Sequence, residues 1–166
     1  MRLSFLPVVR AADVTAVTPA FLKSRGVRLL MLDFDNTIVP YTTNVPTEAV
    51  ERWLRQLLES DITVCVVSNS KRDRVKLFCG QYGLACITHA RKPFSKGIKA
   101  CLDRFGIPAS QAALVGDQIF TDTLGANCCG VQSILVEAIH QHNIWLKLRH
   151  VAEMPFVWLS SKRKIL

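Results

Sequence analysis

The chain has 166 residues, 49% of them hydrophobic, and 21 Lys and Arg against 13 Asp and Glu give it a formal net charge of +8. That is enough apolar material for one domain with a core, and it excludes a disordered chain. No apolar run reaches the roughly 18 residues of a membrane-spanning helix, and the opening MRLSFLPVVRAADV is broken by Pro7 and Arg10, which argues against a secretory signal and for a cytoplasmic chain or one of an equivalent reducing compartment.

In chain order, the first predicted element is a short helix with Thr18 as cap, Pro19 in its first turn and Gly26 as its stop. It belongs to an N-terminal helical extension, residues 1–28, ahead of a core at 29–136. Leu29–Asp33 reads as a strand. Thr47–Ser60 reads as a helix, because Val50, Trp53, Leu54, Leu57 and Leu58 recur at helical spacing. Ile62–Val67 is a short β-branched run suited to a buried parallel strand. A helix follows over Asp73–Tyr82, stopped by Gly83, and then a weaker strand over Leu84–Thr88. Ser95–Phe105 is a helix with Ile98, Cys101, Leu102 and Phe105 inward. Ala112–Val115 is a strand, Thr121–Cys129 a short helix and Val131–Val136 the last strand.

Strands alternating with helices predict one doubly wound, Rossmann-like α/β domain: five parallel strands with helices on both faces. The basic tail, 137–166, settles on no single period. The six cysteines fall mostly in apolar stretches with no C-x-x-C pair, so they read as buried free thiols. The His140-Gln141-His142 spacing is too weak to claim a metal site.

In a doubly wound sheet, ligands bind beyond the carboxyl ends of the strands. Those ends carry Asp33, Asp35, Asn36 and Thr37; then Ser68 and Asn69; then His89, Arg91 and Lys92; then Asp117 and Asp122. Asp33 and Asp35 point to one side if the chain stays extended. Two carboxylates so close repel unless a cation lies near them, and Asp117 would complete an oxygen-rich site of the Mg²⁺ type. As isolated residues, these aspartates could equally be helix caps or turn formers.

The segments DFDNT, VVSNS, RKP and GDQIFTD, in that order and each after a strand, resemble the four motifs of the haloacid dehalogenase (HAD) superfamily. The finer wording, with SNSKRDRVKLF at 68–78, resembles the capless, subfamily IIIA, YqeG and phosphatidylglycerophosphatase-like branch. The resemblance implies a Mg²⁺-dependent phosphatase. Asp33 would be the nucleophile and Asp35 the group that exchanges a proton with the leaving oxygen and then with water. Ser68, helped by Asn69, would hold the phosphoryl oxygens, and Lys92 would neutralise charge on the phosphate and on Asp33. Asp33, Asp117 and the backbone carbonyl of Asp35 would bind the metal, with Asp122 in support. Arg91, Lys96 and Lys99 are nearby competitors for the place of Lys92, which the Lys-Pro pair favours.

The connections after the first two strands leave no room for a cap domain, so an open site is expected. An open site suits a phosphate on something large: a lipid head group, a protein or a nucleic-acid end. Residues 71–104 hold nine basic and two acidic residues, and both chain ends are basic as well. Such charge draws a chain to an anionic surface. Without aromatic-basic interleaving, nucleic acid is the weaker choice, and an anionic membrane the stronger one. Apolar residues in LSFLPVV and FVWL fit either shallow insertion or core packing. Two other readings remain: a phosphatase of soluble metabolites, proteins or nucleic-acid ends, and a signalling module that stores phosphoaspartate.

Overall fold

The computed structural model describes residues 4–70 and 73–139. The tail from residue 140 on, with its His140-Gln141-His142 stretch and the FVWL segment, lies outside the described residues. Six strands form one parallel sheet: β1 (Val9–Ala11), β2 (Leu29–Leu32), β3 (Thr63–Val67), β4 (Ala85–Ile87), β5 (Ala112–Gly116) and β6 (Gln132–Val136). Their order across the sheet is β1-β6-β5-β2-β3-β4. The helices are α1 (Pro19–Ser24), α2 (Glu48–Leu58), α3 (Asp73–Gln81), α4 (Ser95–Phe105) and α5 (Leu124–Cys128).

Alternation along the strands builds two cores. Leu30, Leu32, Val64, Val66, Ala113 and Val115 face α1, α2 and α3, through Leu22, Trp53, Leu54, Leu57, Val75 and Phe78. Leu29, Met31, Cys65, Val67, Ala112 and Leu114 face α4 and α5, through Ile98, Cys101 and Ala126. β2 is therefore buried on both sides, as a central parallel strand must be. That is why its sequence, LLML, shows no alternation.

The expected count of five strands is corrected to six. β1 adds to the sheet edge beside β6, with Val9 opposite Ile134 and Ala11 opposite Val136. Its three residues, Val-Arg-Ala, are too few to establish a period, and Arg10 is the half-buried middle position. Residues 1–28 thus carry a strand as well as a helix. The described part of LSFLPVV packs on the fold: Pro7 and Val9 are buried, and Phe5 meets Phe120 edge to face at 5.8 Å.

Local signals explain most element ends. The Thr18 hydroxyl accepts from the N–H of Phe21 at the start of α1, and that of Thr47 from Val50 at the start of α2. Gly106 stops α4 in the left-handed conformation at φ +62°. The helix expected over Thr121–Cys129 divides: a wider, π-type turn over Ile119–Thr123 precedes α5. All six cysteines are free thiols. No described helix is long and apolar enough to cross a membrane.

Strand order reverses between β2 and β5. The chain leaves β2 toward β3 and β4, and leaves β5 toward β6, so a crevice opens beyond the carboxyl ends of β2, β3 and β5. Leu54 is fully buried between α2 and the sheet. Leu54→Ala is expected to cost about 2–5 kcal/mol of unfolding free energy, read as a lowered urea midpoint at unchanged slope.

Candidate active site

Asp33 follows β2 directly, and its N–H still donates to the carbonyl of Val115 on β5, at 2.9 Å. The chain then turns sharply. Asn36 adopts the left-handed conformation at φ +64°, which Asn tolerates better than most residues. Its N–H reaches the carbonyl of Val39 at 2.7 Å. This turn starts a short flap over residues 36–46. It also keeps Asp33 and Asp35 on the wall of one pocket, lined as well by Tyr41, Ser68, Asn69, Lys92, Gln118 and Thr121. The cavity holds about 160 Å³.

The centre of the pocket is a buried ammonium. Lys92 Nζ lies 2.6 Å from Asp33 Oδ1 and 2.7 Å from Asp122 Oδ1, with 1% of the lysine side chain exposed. Burial alone would pull the lysine pKa down, but the charges of Asp122 and Asp33 and their hydrogen bonds more than offset it, so the pKa lies above the ordinary value. Burial also pushes Asp122 up to about 6, with Lys92 opposing the rise and Asp33 adding to it. Asp122 Oδ2 accepts from the N–H of Gln118 at 3.2 Å.

The loop that carries Lys92 is shaped to bring it inward. His89 and Arg91 both have positive φ, +55° and +56°, and the Lys92–Pro93 peptide is cis. Asn69 grips the lysine main chain at both ends. Its Oδ1 accepts from the Lys92 N–H at 2.6 Å, and its Nδ2 donates to the Lys92 carbonyl at 2.9 Å. Asn69 was expected to help hold the phosphoryl group; here its amide holds Lys92. Of the competing cations, Arg91, Lys96 and Lys99 are exposed. Ser68 is buried at the end of β3, and its hydroxyl accepts from the Ser70 N–H at 3.0 Å. That bond uses a lone pair, so the hydroxyl proton can go to another acceptor.

Asp33, Asp117 and Asp122 each offer an oxygen within 4.8 Å of the others. Three carboxylates against one ammonium leave a deficit of two positive charges. An all-oxygen donor set with that deficit fits a hard divalent cation such as Mg²⁺. The Asp35 carboxylate is not in the cluster. It pairs with Arg74 Nη1 at 3.1 Å.

Sequence reasoning gave no role to four residues here. Arg74 is one. Thr37 bridges toward Asp33 Oδ2 and Asp117 Oδ1 at 3.4 and 3.5 Å. Gln118 and Thr121 line the pocket, and the Thr121 hydroxyl donates to Gln118 Oε1 at 3.1 Å. Thr37, Gln118 and Thr121 sit inside the quoted motifs, so the signal was present. Arg74 lies inside the quoted SNSKRDRVKLF stretch as well, but on a helix, where a cation reads as surface.

Gly116 makes the close approach of Asp122 possible. A Cβ at Gly116 would stand 2.3 Å from the Asp122 carboxyl carbon and Oδ2. Gly116→Ala is expected to displace Asp122 from Lys92 and to lower Mg²⁺ affinity by about 10–100-fold, measured by calorimetric titration, with the circular dichroism spectrum unchanged.

Comparison with known proteins agrees with this geometry. Residues 89–141 match the family described as HAD-hyrolase-like. The chain is 35% identical over 132 residues to the probable phosphatase YqeG of Bacillus subtilis (strain 168), covering 80% of this chain and 77% of that one. It is 25% identical over 169 residues to phosphatidylglycerophosphate phosphatase 1, chloroplastic/mitochondrial, of Arabidopsis thaliana, covering 95% of this chain but only 45% of that longer protein. In fold it is similar to the cobalt-bound deoxy-D-mannose-octulosonate 8-phosphate phosphatase YrbI of Haemophilus influenzae, with a TM-score of 0.55 at 12% identity over 84% of this chain and 92% of that one. The chain belongs to the HAD-like phosphatase family that includes YqeG.

Proposed function

We propose that this chain hydrolyses a phosphomonoester through a transient aspartyl phosphate on Asp33, and that its substrate is a phosphorylated lipid head group such as that of phosphatidylglycerophosphate. The observation that carries the reading is Lys92 held between Asp33 and Asp122 on the pocket wall. A phosphate dianion repels a carboxylate nucleophile, and a fixed buried ammonium offsets that repulsion without having to reorganise. Mg²⁺, held by Asp33, Asp117 and the Asp35 carbonyl, would supply the remaining positive charge on the phosphoryl oxygens. Asp122 keeps Lys92 in place, and the Ser68 hydroxyl donates to a phosphoryl oxygen.

A carboxylate oxygen of Asp33 bonds to phosphorus as the ester P–O bond breaks. The leaving alkoxide takes a proton from Asp35. Asp35 then takes a proton from water, the water opens the acyl phosphate, and inorganic phosphate leaves with Asp33 restored. A signalling module that stores phosphoaspartate is the weaker reading, because Asp35 on the same pocket wall promotes turnover.

The lipid substrate is supported by the surroundings of the pocket. Among the described residues, the connections after β2 and β3 hold only the flap, α2 and α3. Tyr41 and Val45 on the flap and Phe94 beside Lys92 are exposed apolar side chains, Phe94 and Val45 at 73% each. Arg91, Lys96 and Lys99 are exposed close to Phe94 in sequence. Exposed apolar side chains with cations near them in sequence would suit shallow contact with an anionic bilayer, each cation adding about 1 kcal/mol near the surface. A soluble metabolite would have no use for such a rim.

Asp33→Asn is expected to stay folded and to lose turnover of phosphatidylglycerophosphate by at least about a thousandfold; retained turnover would remove Asp33 as nucleophile. Chelation of divalent ions should abolish wild-type turnover, and added Mg²⁺ should restore it. In flotation with anionic vesicles at physiological salt, wild type should rise with the lipid and the Val45→Ser, Phe94→Ser double variant should rise less. Absence of wild-type binding, with equal turnover of soluble phosphates, would favour a metabolite phosphatase.

A further inference from the structure

Arg74 stands in the first turn of α3, yet its side chain turns away from solvent, with 11% of it exposed. Nε donates to Oδ1 of Asn44 at 2.7 Å. Nη1 donates to the carbonyl of Tyr41 at 2.9 Å. Nη2 donates to the carbonyls of Pro40 at 3.0 Å and Thr43 at 2.6 Å. A guanidinium has five N–H groups, and these four bonds all go to the flap. Nη1 also lies 3.1 Å from Oδ1 of Asp35, whose side chain is 15% exposed. The guanidinium carbon sits 5.1 Å from the ring centre of Phe34, the residue between the two aspartates. One side chain therefore joins the flap, the Asp33–Asp35 turn and α3.

Buried Ile38, Val39 and Pro46 hold the two ends of the flap, but its tip, residues 40–45, has little regular bonding of its own. Its turn bond, from the Thr43 N–H to the Pro40 carbonyl, is long at 3.4 Å. A fork that satisfies three flap carbonyls and an amide replaces the missing regular structure. Loop stapling alone would not require the fork to touch Asp35 as well. We infer that Arg74 is a positioning residue for the reaction: it locks the flap, with Tyr41 on the pocket wall, to the carboxylate of Asp35, so that this carboxyl group is held where the leaving oxygen departs. The inference rests on the proposed role of Asp35 in proton exchange with that oxygen.

A lysine could keep the charge beside Asp35 but could not reproduce four directed bonds to the flap. The test compares kcat/KM for two substrates, which reports the steps up to ester cleavage. n-Butyl phosphate leaves as an alkoxide and needs the proton; 4-nitrophenyl phosphate leaves as a stable phenolate and does not. Arg74→Ala and Arg74→Lys should each lower kcat/KM for n-butyl phosphate by about 10–100-fold. For 4-nitrophenyl phosphate the loss should stay below about threefold. Asp35→Asn should show the same selectivity with a larger loss. An equal loss on both substrates, no loss, or full recovery in the lysine variant would each overturn the inference.

Hydrogen exchange gives a readout independent of turnover. Amides of residues 41–45 should exchange faster in both Arg74 variants than in wild type, with the strand amides unchanged. Unchanged exchange there would overturn the tether even if activity fell. If wild type cleaves neither small ester, kcat/KM for phosphatidylglycerophosphate, whose leaving group is also an alkoxide, carries the comparison: no loss in the Arg74 variants there overturns the inference, and no wild-type turnover of any of the three esters fails the phosphatase reading itself, while the exchange data still decide whether Arg74 holds the flap. Should Arg74→Ala fail to fold, Arg74→Lys carries both measurements.

Discussion

A single ammonium lets two carboxylates stand side by side in the interior of this chain. Asp33 and Asp122 are 6% and 3% exposed, and Lys92, which separates them, is 5% exposed. Bringing such charges out of water costs several kcal/mol per ion, and an apolar trio of similar volume would often hold a fold as well or better. The arrangement is therefore hard to explain as a stabilising device. It makes sense as charge held ready for an anion, in a place where few waters screen it. Several local oddities then have one cause. Gly116 lacks a side chain because Asp122 occupies the space, and Gly97 lacks one because α4 packs on Ala90, two residues before Lys92. The left-handed His89 and Arg91 and the two bonds from Asn69 fix the path of the lysine loop.

Asp33 and Asp35 are two residues apart but receive different partners. Asp33 faces a compact ammonium that is itself shared with Asp122. Asp35 is ion-paired with a guanidinium whose hydrogen bonds go to the flap. The difference suits the chemistry of the two cations. A lysine is a point charge that can serve a phosphate and a carboxylate together, whereas an arginine is a rigid fork that fixes geometry. Environment, rather than residue type, can thus divide two like carboxylates into two roles.

Much of this was legible in the sequence, because doubly wound sheets write their sites at strand ends. Asp33, Ser68 and Asp117 each follow a run of buried strand residues, and Lys92 follows the weaker, half-buried β4. Thr18, Gly26 and Gly83 marked helix ends because capping is a local interaction. What stayed hidden was non-local or too short to carry a period. β1 exists because β6 offers it an edge, and three residues cannot announce that. That both ends of the Asn69 amide go to the main chain of Lys92 is visible only in the fold, because the two residues are 23 apart in sequence. Arg74 was counted among nine basic residues of a surface segment, yet it and Lys92 are turned inward, so that segment is less cationic outside than its composition suggests.

Among the described residues no separate domain covers the pocket, so excluding water and choosing a substrate would rest on very little chain. Here that work falls to the flap, whose regular structure is limited to a turn and an isolated bridge between Asp35 and Val39. Loops of this kind open locally at small free-energy cost, and a loosely held flap would leave the charged pocket exposed to bulk water. Anchoring by Arg74 opposes that opening from one side, and Ile139, whose N–H donates to the Asn36 carbonyl at 3.1 Å, opposes it from the other. The flap also carries Tyr41 and Val45, so whatever orders it also orders part of the exposed apolar rim. Tyr41, which also lines the pocket, links those side chains to the pocket wall. On the proposed reading, a large phosphorylated substrate that settled against them would order the flap, and its binding energy would go into holding Asp35 in place rather than into tighter ground-state binding alone.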